Sequence, residues 1–202
     1  MTTAIGAYAT AALLKARAGI TDTTDDTELG KVCDQVNAYI ETFTKRVLAP
    51  VTSATYTLDI PEPTRRIYFP RGIRAISAFS VGAFTGATRD TLTEGTDFFL
   101  RPAAHDRIPG WPATDIVLSD YGSLSAFPKG FDIVSMTATT GWASIPDDVT
   151  EVALVAAVRA WHSVNTGQTD IVGTDEMGRP LVSRFFSARD LGTLRTYSTD
   201  IP

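Results

Sequence analysis

The first fifty residues repeat apolar and polar positions with the period of an α-helix. Between residues 4 and 18, apolar side chains recur three and four residues apart, and Gly19 follows as a helix stop. After the polar stretch TDTTDD, in which Asp25 and Glu28 have the spacing of a capping box, a second helix is predicted. Its apolar face comprises Leu29, Val32, Cys33, Val36, Ile40, Phe43 and Val47. Helices joined by so few residues are expected to pack as an antiparallel hairpin, which we assign to residues 1–49.

From Pro50 the pattern changes to that of β-strands. Short runs rich in β-branched and aromatic residues continue to about Thr140, separated by turn-forming stretches such as PEP, PRG and EGTD. The runs are TYTLDI, RRIYF, AISAFSV, DFFLR, DIVLS and DIVSMTATT. In the first run Tyr56, Leu58 and Ile60 alternate with polar residues and are expected to face inward. Residues 50–140 are therefore predicted to form an inserted antiparallel β module.

The stretch TTGWASIPDDVTEVALVAAVRAW, residues 139–161, marks the return to helix. Pro146 suits the first helical turn, and the acidic residues after it complement the helix dipole. The apolar stripe from Val149 to Val164 consists mostly of alanine and valine, which allow helices to approach closely. We predict that this helix, in residues 141–165, packs on the N-terminal pair. The expected fold is α+β, a small antiparallel helical bundle interrupted by an inserted antiparallel β module.

The C-terminal part carries little periodicity at first and then a series of aromatic and aliphatic residues. Residues 166–180 are rich in glycine and are expected to form a flexible loop. The candidate contact residues of the segment 181–202 are Phe185, Phe186, Leu191, Leu194, Arg195 and Tyr197. Apolar side chains after a mobile loop are typical of a segment that orders on a partner. The alternative is that Phe185 and Phe186 fold back onto the protein's own helices.

Composition describes a folded protein without a membrane span. Of the 202 residues 44% are hydrophobic and 20% charged, and no apolar run is long enough to cross a bilayer. The first residues lack the basic stretch of a signal peptide. Cys33 is the single cysteine and lies on the predicted apolar face, so we expect a buried side chain in a protein that folds in a reducing cytoplasm.

The sequence carries no pattern that indicates catalysis. Metal sites need clustered His, Cys and carboxylates, and the histidines are His105 and His162 alone. Neither a nucleophile elbow nor a phosphate-binding glycine loop is present. We predict no catalytic residue, no metal and no cofactor, and hence no enzyme.

One basic cluster lies in RRIYFPRGIR. Its arginines, Arg65, Arg66, Arg71 and Arg74, bracket Tyr68 and Phe69. Such a cluster could be a nucleic-acid stacking surface, or a hairpin whose arginines are solvated or contact carboxylates of a neighbouring molecule. The net charge of −5 favours the second interpretation, because an acidic protein repels the phosphate backbone.

Two stretches together resemble a known family. The first is LLKARAGITDTTDDTELGKVCDQVNAYIETFTKR, and the second is VSMTATTGWASIPDDVTEVALVAAVRAW. The order of a helical pair, a β insertion, a Gly-Trp corner and an Ala-rich helix is similar to that of head–tail connector (adaptor, or head-completion) proteins of tailed bacteriophages. The insertion of about ninety residues is larger here than in the shortest members.

The resemblance implies a structural virion protein in the neck between capsid and tail. Such proteins form a homo-dodecameric ring below the portal, extend the DNA channel and offer an attachment surface to stopper or tail-completion proteins, after assembly in the host cytoplasm. DNA would be passing cargo only, and no membrane would be involved. Twelve copies at −5 each would carry −60 formal charges, which suits a channel that does not hold DNA.

Two alternatives stay open at the level of sequence. A β-rich binding module of the virion would recognise a glycan or a host surface, with the helices as support. An unrecognised hydrolase is the third hypothesis, which a substrate screen would address. Co-assembly with a portal would distinguish the connector hypothesis from both alternatives.

Overall fold

A computed structural model describes residues 6–82, 89–103, 110–165, 171–174, 180–182 and 185–198. The chain divides into two compact units, one formed by Met1–Val47 with Ile145–Pro202 and the other by Leu48–Ser144. Helices from both ends of the chain thus belong to one unit, and an antiparallel sheet forms the other. The predicted fold class, an α+β protein with an inserted antiparallel β module, is confirmed.

The helical unit contains four helices and a short hairpin among the described residues. The helices are α1 (Ala11–Ala18), α2 (Asp26–Thr44), α3 (Asp147–Asn165) and α4 (Ala188–Arg195). The strands β7 (Ile171–Thr174) and β8 (Pro180–Val182) pair antiparallel, within and just beyond the stretch expected to be a loop. Helices α1, α2 and α3 pack against one another, and α4 packs on α2 and α3. The core of the unit is closed by the small residues Ala153, Ala156 and Ala157 of α3, all fully buried.

The first helix is shorter than its apolar pattern predicts. It begins at Ala11, and the Oγ atom of Thr10 caps it by accepting a hydrogen bond from the Leu13 amide (3.3 Å). The preceding residues are held by the buried Asn37 side chain, which accepts from the Ala9 N–H (2.8 Å) and donates to the Ala9 carbonyl (3.0 Å). The buried Tyr8 donates to Glu41 (3.1 Å). These long-range bonds outweigh local helix propensity.

Helix α2 buries the predicted face but begins differently. Its buried residues include Leu29, Val32, Cys33, Val36 and Ile40, as the pattern predicts. Asp25 stands at the N-cap with φ −103° and ψ 11°, and its side chain makes no capping hydrogen bond. The predicted capping box with Glu28 is therefore wrong, because that backbone is not in the extended conformation the motif requires.

The β module is a six-stranded antiparallel sheet. Its strands are β1 (Val51–Ile60), β2 (Arg66–Val81), β3 (Asp90–Thr91), β4 (Phe98–Arg101), β5 (Ala113–Leu118) and β6 (Gly130–Thr140). They are ordered β1-β6-β2-β5-β4, with β3 added beside β2. The expected inward residues of β1 do face the core, where Ile60 is buried and Tyr56 and Leu58 are partly buried.

Strand β2 joins two runs that the sequence separates at PRG. Its first half pairs with β5 through Ile67 and Ile116, and its second half pairs with β6 through Ile76 and Ala138. The register with β5 shifts between Tyr68 and Ile73, across Pro70 and Gly72. Proline is tolerated at such a bulge because one ladder hydrogen bond is already missing there. The prediction of two separate strands here is wrong.

The Gly-Trp corner brings the two ends of the β module side by side. Val51 at the start of β1 pairs with Thr140 at the end of β6. Gly141 follows with φ +76°, and a Cβ atom at that position would lie 2.1 Å from the Ala49 carbonyl oxygen. Only glycine avoids both the backbone strain and that collision. The chain therefore enters and leaves the β module at one point.

Candidate interaction surfaces

The C-terminal helix is fixed to the helical unit by a charged cluster. The Ser187 Oγ atom accepts from the Asp190 amide (3.2 Å), and Asp190 accepts from the Ser187 amide (2.8 Å), which completes a capping box. Arg159 of α3 donates to the same carboxylate (2.7 Å) and to the Phe185 carbonyl (3.1 Å). Burial alone would raise the pKa of Asp190, but the bonds from Ser187 and Arg159 outweigh it and hold that pKa below its usual range.

A second contact holds the end of the same segment. The Tyr197 hydroxyl donates to Asp148 of α3, with distances of 2.9 and 3.0 Å to its two carboxylate oxygens. Burial, the hydrogen bond and the charge of Asp148 raise the pKa of Tyr197 to about 12. Because Leu194 is also fully buried, residues 185–198 are part of the helical unit.

Beside α4 lies an open apolar cavity of about 510 Å³, which we call the aromatic groove. Its lining comprises Gln35, Val36, Tyr39, Ala160, Phe185, Phe186 and Leu191. The rings of Tyr39 and Phe186 stack with centroids 4.4 Å apart. Phe186 is buried by this stacking, whereas Tyr39 and Phe185 remain 44% and 42% exposed. The groove thus offers two accessible aromatic rings on a packed base.

The structure divides the predicted C-terminal contact residues into two groups. Phe186, Leu194 and Tyr197 are buried within the helical unit and position α4. Phe185 and Arg195 are exposed, and Leu191 is half-buried in the groove lining. Phe186 therefore follows the alternative in which the ring folds back onto the protein's own helices, while Phe185 stays accessible. The side chain of Leu181 and residues 199–202 lie outside the described part of the chain.

Sequence reasoning missed Tyr39 as a member of this surface. It lies three residues after Val36 and four before Phe43, so it flanks the apolar stripe of α2. The stacked pairs Tyr39–Phe43 and Tyr39–Phe186 show that this flank carries an aromatic cluster. The helical spacing of Tyr39 and Phe43 was the available signal, but the stacking partner Phe186, 147 residues further on, was not predictable.

The arginines of the basic cluster have different surroundings. Arg65 forms an ion pair with Asp120 (2.5 Å), and Arg66 forms one with Asp115 (2.7 Å). Both arginine side chains are exposed. Arg71 lies over the ring of Tyr56, 5.8 Å from its centroid. Arg74 is exposed and contacts no carboxylate of the described residues. The charges of Arg65 and Arg66 are therefore balanced by carboxylates of the same chain, which weakens the cluster as a phosphate-binding surface.

The described residues contain no arrangement typical of a metal or catalytic site. Within them no three His, Cys, Asp or Glu side chains come together as metal ligands. Cys33 is buried, and this burial raises its thiol pKa to about 11, so it is not a reactive thiolate at neutral pH. His162 is exposed on α3, and His105 lies outside the described residues. None of the described helices is long and apolar enough to cross a membrane.

Comparison with solved structures gives full-length matches. A chain from the neck of an empty gene transfer agent (GTA) particle, computed with C6 symmetry, matches 100% of this chain and 95% of its own length, with a TM-score of 0.60 and 16% identity. A chain of the native GTA virion matches 100% of this chain and 95% of its own length, with a TM-score of 0.56 and 14% identity. A chain from the neck of the native particle, computed with C12 symmetry, matches 100% of this chain and 94% of its own length, with a TM-score of 0.55 and 15% identity.

These matches establish a shared fold over both units of the chain. No family model and no curated protein sequence matches it. The similarity to chains of phage-like particle necks is consistent with the resemblance to head–tail connectors noted in the sequence.

Proposed function

We propose that this protein is a structural component of a virion neck, an adaptor that forms a ring below the portal and joins the capsid to the tail. It extends the DNA channel and offers its other side to a stopper or tail-completion protein. The observation that carries this proposal is the match of the whole chain, β module included, to chains from necks of phage-like particles. A likeness confined to the helices would not carry it, because small helical bundles serve many functions.

The symmetry of the matched necks supports a ring of this chain. Those necks were computed with sixfold and twelvefold symmetry, and a homo-dodecamer satisfies both. A ring needs two different surfaces on each subunit, which contact each other head to tail. Arg74, with the other arginines of the cluster, provides one candidate contact to a neighbour. The exposed part of the aromatic groove provides another.

The C-terminal segment is the proposed contact to the portal or to the adjacent subunit. Phe185 with Tyr39 and Leu191 supplies accessible apolar area, and Arg195 supplies an exposed charge beside it. The buried side chains Phe186, Leu194 and Tyr197 keep α4 in place beneath them. This arrangement corresponds to aromatic anchors on a supported helix, which is typical of binding surfaces.

The acidic charge supports a channel role without DNA binding. With −5 on each copy, a twelvefold ring carries −60 formal charges. Phosphate binding would require clustered, unpaired Lys and Arg. Arg65 and Arg66 are engaged with Asp120 and Asp115, so they do not form such a cluster. No chemistry is assigned to the protein, and its role is structural.

Particles assembled with groove variants test the proposal. We expect Tyr39→Ser with Phe185→Ser to reduce the copies of this chain per purified particle, measured by quantitative mass spectrometry, while heads lose packaged DNA. Leu13→Ser is the matched control, because Leu13 is equally exposed on α1 but does not line the groove. Wild-type particles that lack the chain would contradict the neck assignment. Normal occupancy by the double variant would contradict only the role of the groove.

A further inference from the structure

Two aromatic side chains of the β module are almost entirely exposed. Tyr121, in the connection between β5 and β6, is 96% exposed, and Phe131, at the start of β6, is 85% exposed. Burying a ring of this size contributes on the order of a few kcal/mol, so a partner that covers the two rings would gain that stabilisation. We call Tyr121 and Phe131 the aromatic tip.

Both rings belong to the same end of the β module. Gly130, next to Phe131, pairs with Ile60 at the end of β1. Asp120, next to Tyr121, forms an ion pair with Arg65, the residue just before β2. The connection between β1 and β2, residues 61–65, therefore runs between the two positions. An isolated bridge from Thr64 to the fully buried Phe127 fixes that connection to the loop that carries Tyr121.

The backbone beneath the aromatic tip is held by many hydrogen bonds. Asp97 accepts from the amide and hydroxyl of Ser123 (both 3.0 Å) and from the Thr93 amide (2.9 Å). Gly122 fits closely against Asp97, since a Cβ atom there would lie 2.8 Å from the Asp97 Cα atom. The Tyr121 amide donates to Ser119 (3.2 Å). A supported backbone that presents exposed rings resembles a preorganised binding surface.

The charges around the tip determine what kind of surface it fits. Four exposed carboxylates lie at this end of the β module: Asp59 at the end of β1, Asp90 in β3, and Glu62 and Glu94 on the connections. The arginines nearby, Arg65 and Arg66, are already paired with Asp120 and Asp115. Lys129 is exposed beside them, and the half-buried Arg89 donates to the Asp132 carbonyl (2.8 Å), but these two cations do not balance the four carboxylates. The rings are therefore framed by negative charge.

We propose that the aromatic tip binds a second protein through a surface that presents arginine side chains around an apolar patch. A guanidinium group suits this site because it stacks on an aromatic face and pairs with a carboxylate. Nucleic acid and anionic lipid are repelled by the carboxylates, and so is the same acidic tip of a second copy. The proposal rests on the proposed function, in which the partner is the neck or tail protein adjoining this ring.

Photocrosslinking in assembled particles identifies the occupant. Tyr121 and, separately, Phe131 are replaced by p-benzoylphenylalanine, an aromatic residue that preserves the ring at an exposed position. Purified particles are irradiated, and crosslinked peptides are sequenced by mass spectrometry. The control position is Leu13, which is exposed on the helical unit. We expect both tip positions, but not Leu13, to crosslink to one other virion protein within a few residues of an arginine.

A charge reversal tests the electrostatic part. Glu62→Lys with Glu94→Lys is expected to lower the crosslink yield at Tyr121 about tenfold, as loss of charge complementarity at a binding surface does. Crosslinks to copies of this chain alone, to a peptide without arginine or to no protein would overturn the proposal. If the wild-type chain is present in particles when this happens, the proposed neck function stands and only the inference fails. If the wild-type chain is absent, both fail.

Discussion

The Gly141 corner provides a sharp test of how the β module is closed. Alanine at this position would have to adopt φ +76° and would place its Cβ atom 2.1 Å from the Ala49 carbonyl oxygen. Gly95 is the matched control in the same unit, because it has φ +88° and open space around the added Cβ atom. Gly95→Ala therefore reports the backbone strain alone. Gly141→Ala reports the same strain together with the collision.

The two costs can be separated in magnitude. A left-handed conformation costs a residue other than glycine about 1–2 kcal/mol, partly offset by the lower entropy of the unfolded alanine chain. We therefore expect Gly95→Ala to lower the free energy of unfolding by about 1 kcal/mol. Relief of the collision requires the Ala49 carbonyl and residue 141 to move apart by about 1 Å, beside the pair Val51–Thr140. Such overpacking costs roughly a further 2 kcal/mol or more.

Urea titration followed by tryptophan fluorescence measures the difference. Trp142 follows the corner directly, and its ring meets that of Trp111 edge to face at 5.7 Å, so its emission reports on this part of the β module. We expect the unfolding free energy of Gly141→Ala to lie about 2 kcal/mol below that of Gly95→Ala. Equal losses in the two variants would refute the close approach of Gly141 to Ala49.

Three further predictions follow from the packing and the charges. Ala156→Phe should lower the unfolding free energy by about 1–3 kcal/mol because Ala156 is fully buried in the helical unit. The control Val164→Phe, on the exposed side of α3, should change that free energy little, and equal losses in the two variants would contradict the shared helical core. Burial raises the pKa of Tyr197 to about 12, so the folded chain holds this proton more tightly than the unfolded chain. The contribution of Tyr197 to the free energy of unfolding is therefore complete below about pH 10 and is lost between about pH 10 and 12. The Tyr197→Phe variant should not show that loss when the free energy of unfolding of wild type and variant is measured against pH. Parallel curves for the two proteins would contradict the contact with Asp148. Replacing Arg65, Arg66, Arg71 and Arg74 by serine should reduce ring stability in native mass spectrometry and leave duplex binding weak; submicromolar binding at physiological salt that these changes abolish would contradict the proposed protein contact.

The fold class could be predicted because its signals are local. The apolar stripe of α2 and the alternation of Tyr56, Leu58 and Ile60 face the core in the structure as the sequence predicts. Each pattern depends only on which face of a single helix or strand is buried. The break at Gly141 likewise marks a real corner, where a single backbone angle requires glycine. Periodicity reports such features directly.

The remaining features depend on contacts between distant residues. Ala9, just before α1, is fixed by Asn37, 28 residues further on, and no local pattern reveals that Asn37 would be buried. Strand β2 passes through Pro70 and Gly72 because different partners pair with its two halves. In the aromatic groove Tyr39 stacks on Phe186, and the whole inserted β module lies between these two residues in the sequence. The exposure of Tyr121 and Phe131 follows from sheet topology, which residue type alone does not specify.

Electron cryomicroscopy of the particle neck tests the central proposal most directly. The chain is fitted as its two units into the density between portal and tail, in wild-type particles purified with their tails. We expect a ring of twelve copies below the portal, with residues 181–202 against the portal or the adjacent subunit and the aromatic tip against a different protein. A neck whose density holds no copy of this fold, or a copy on the capsid or tail surface alone, would contradict it.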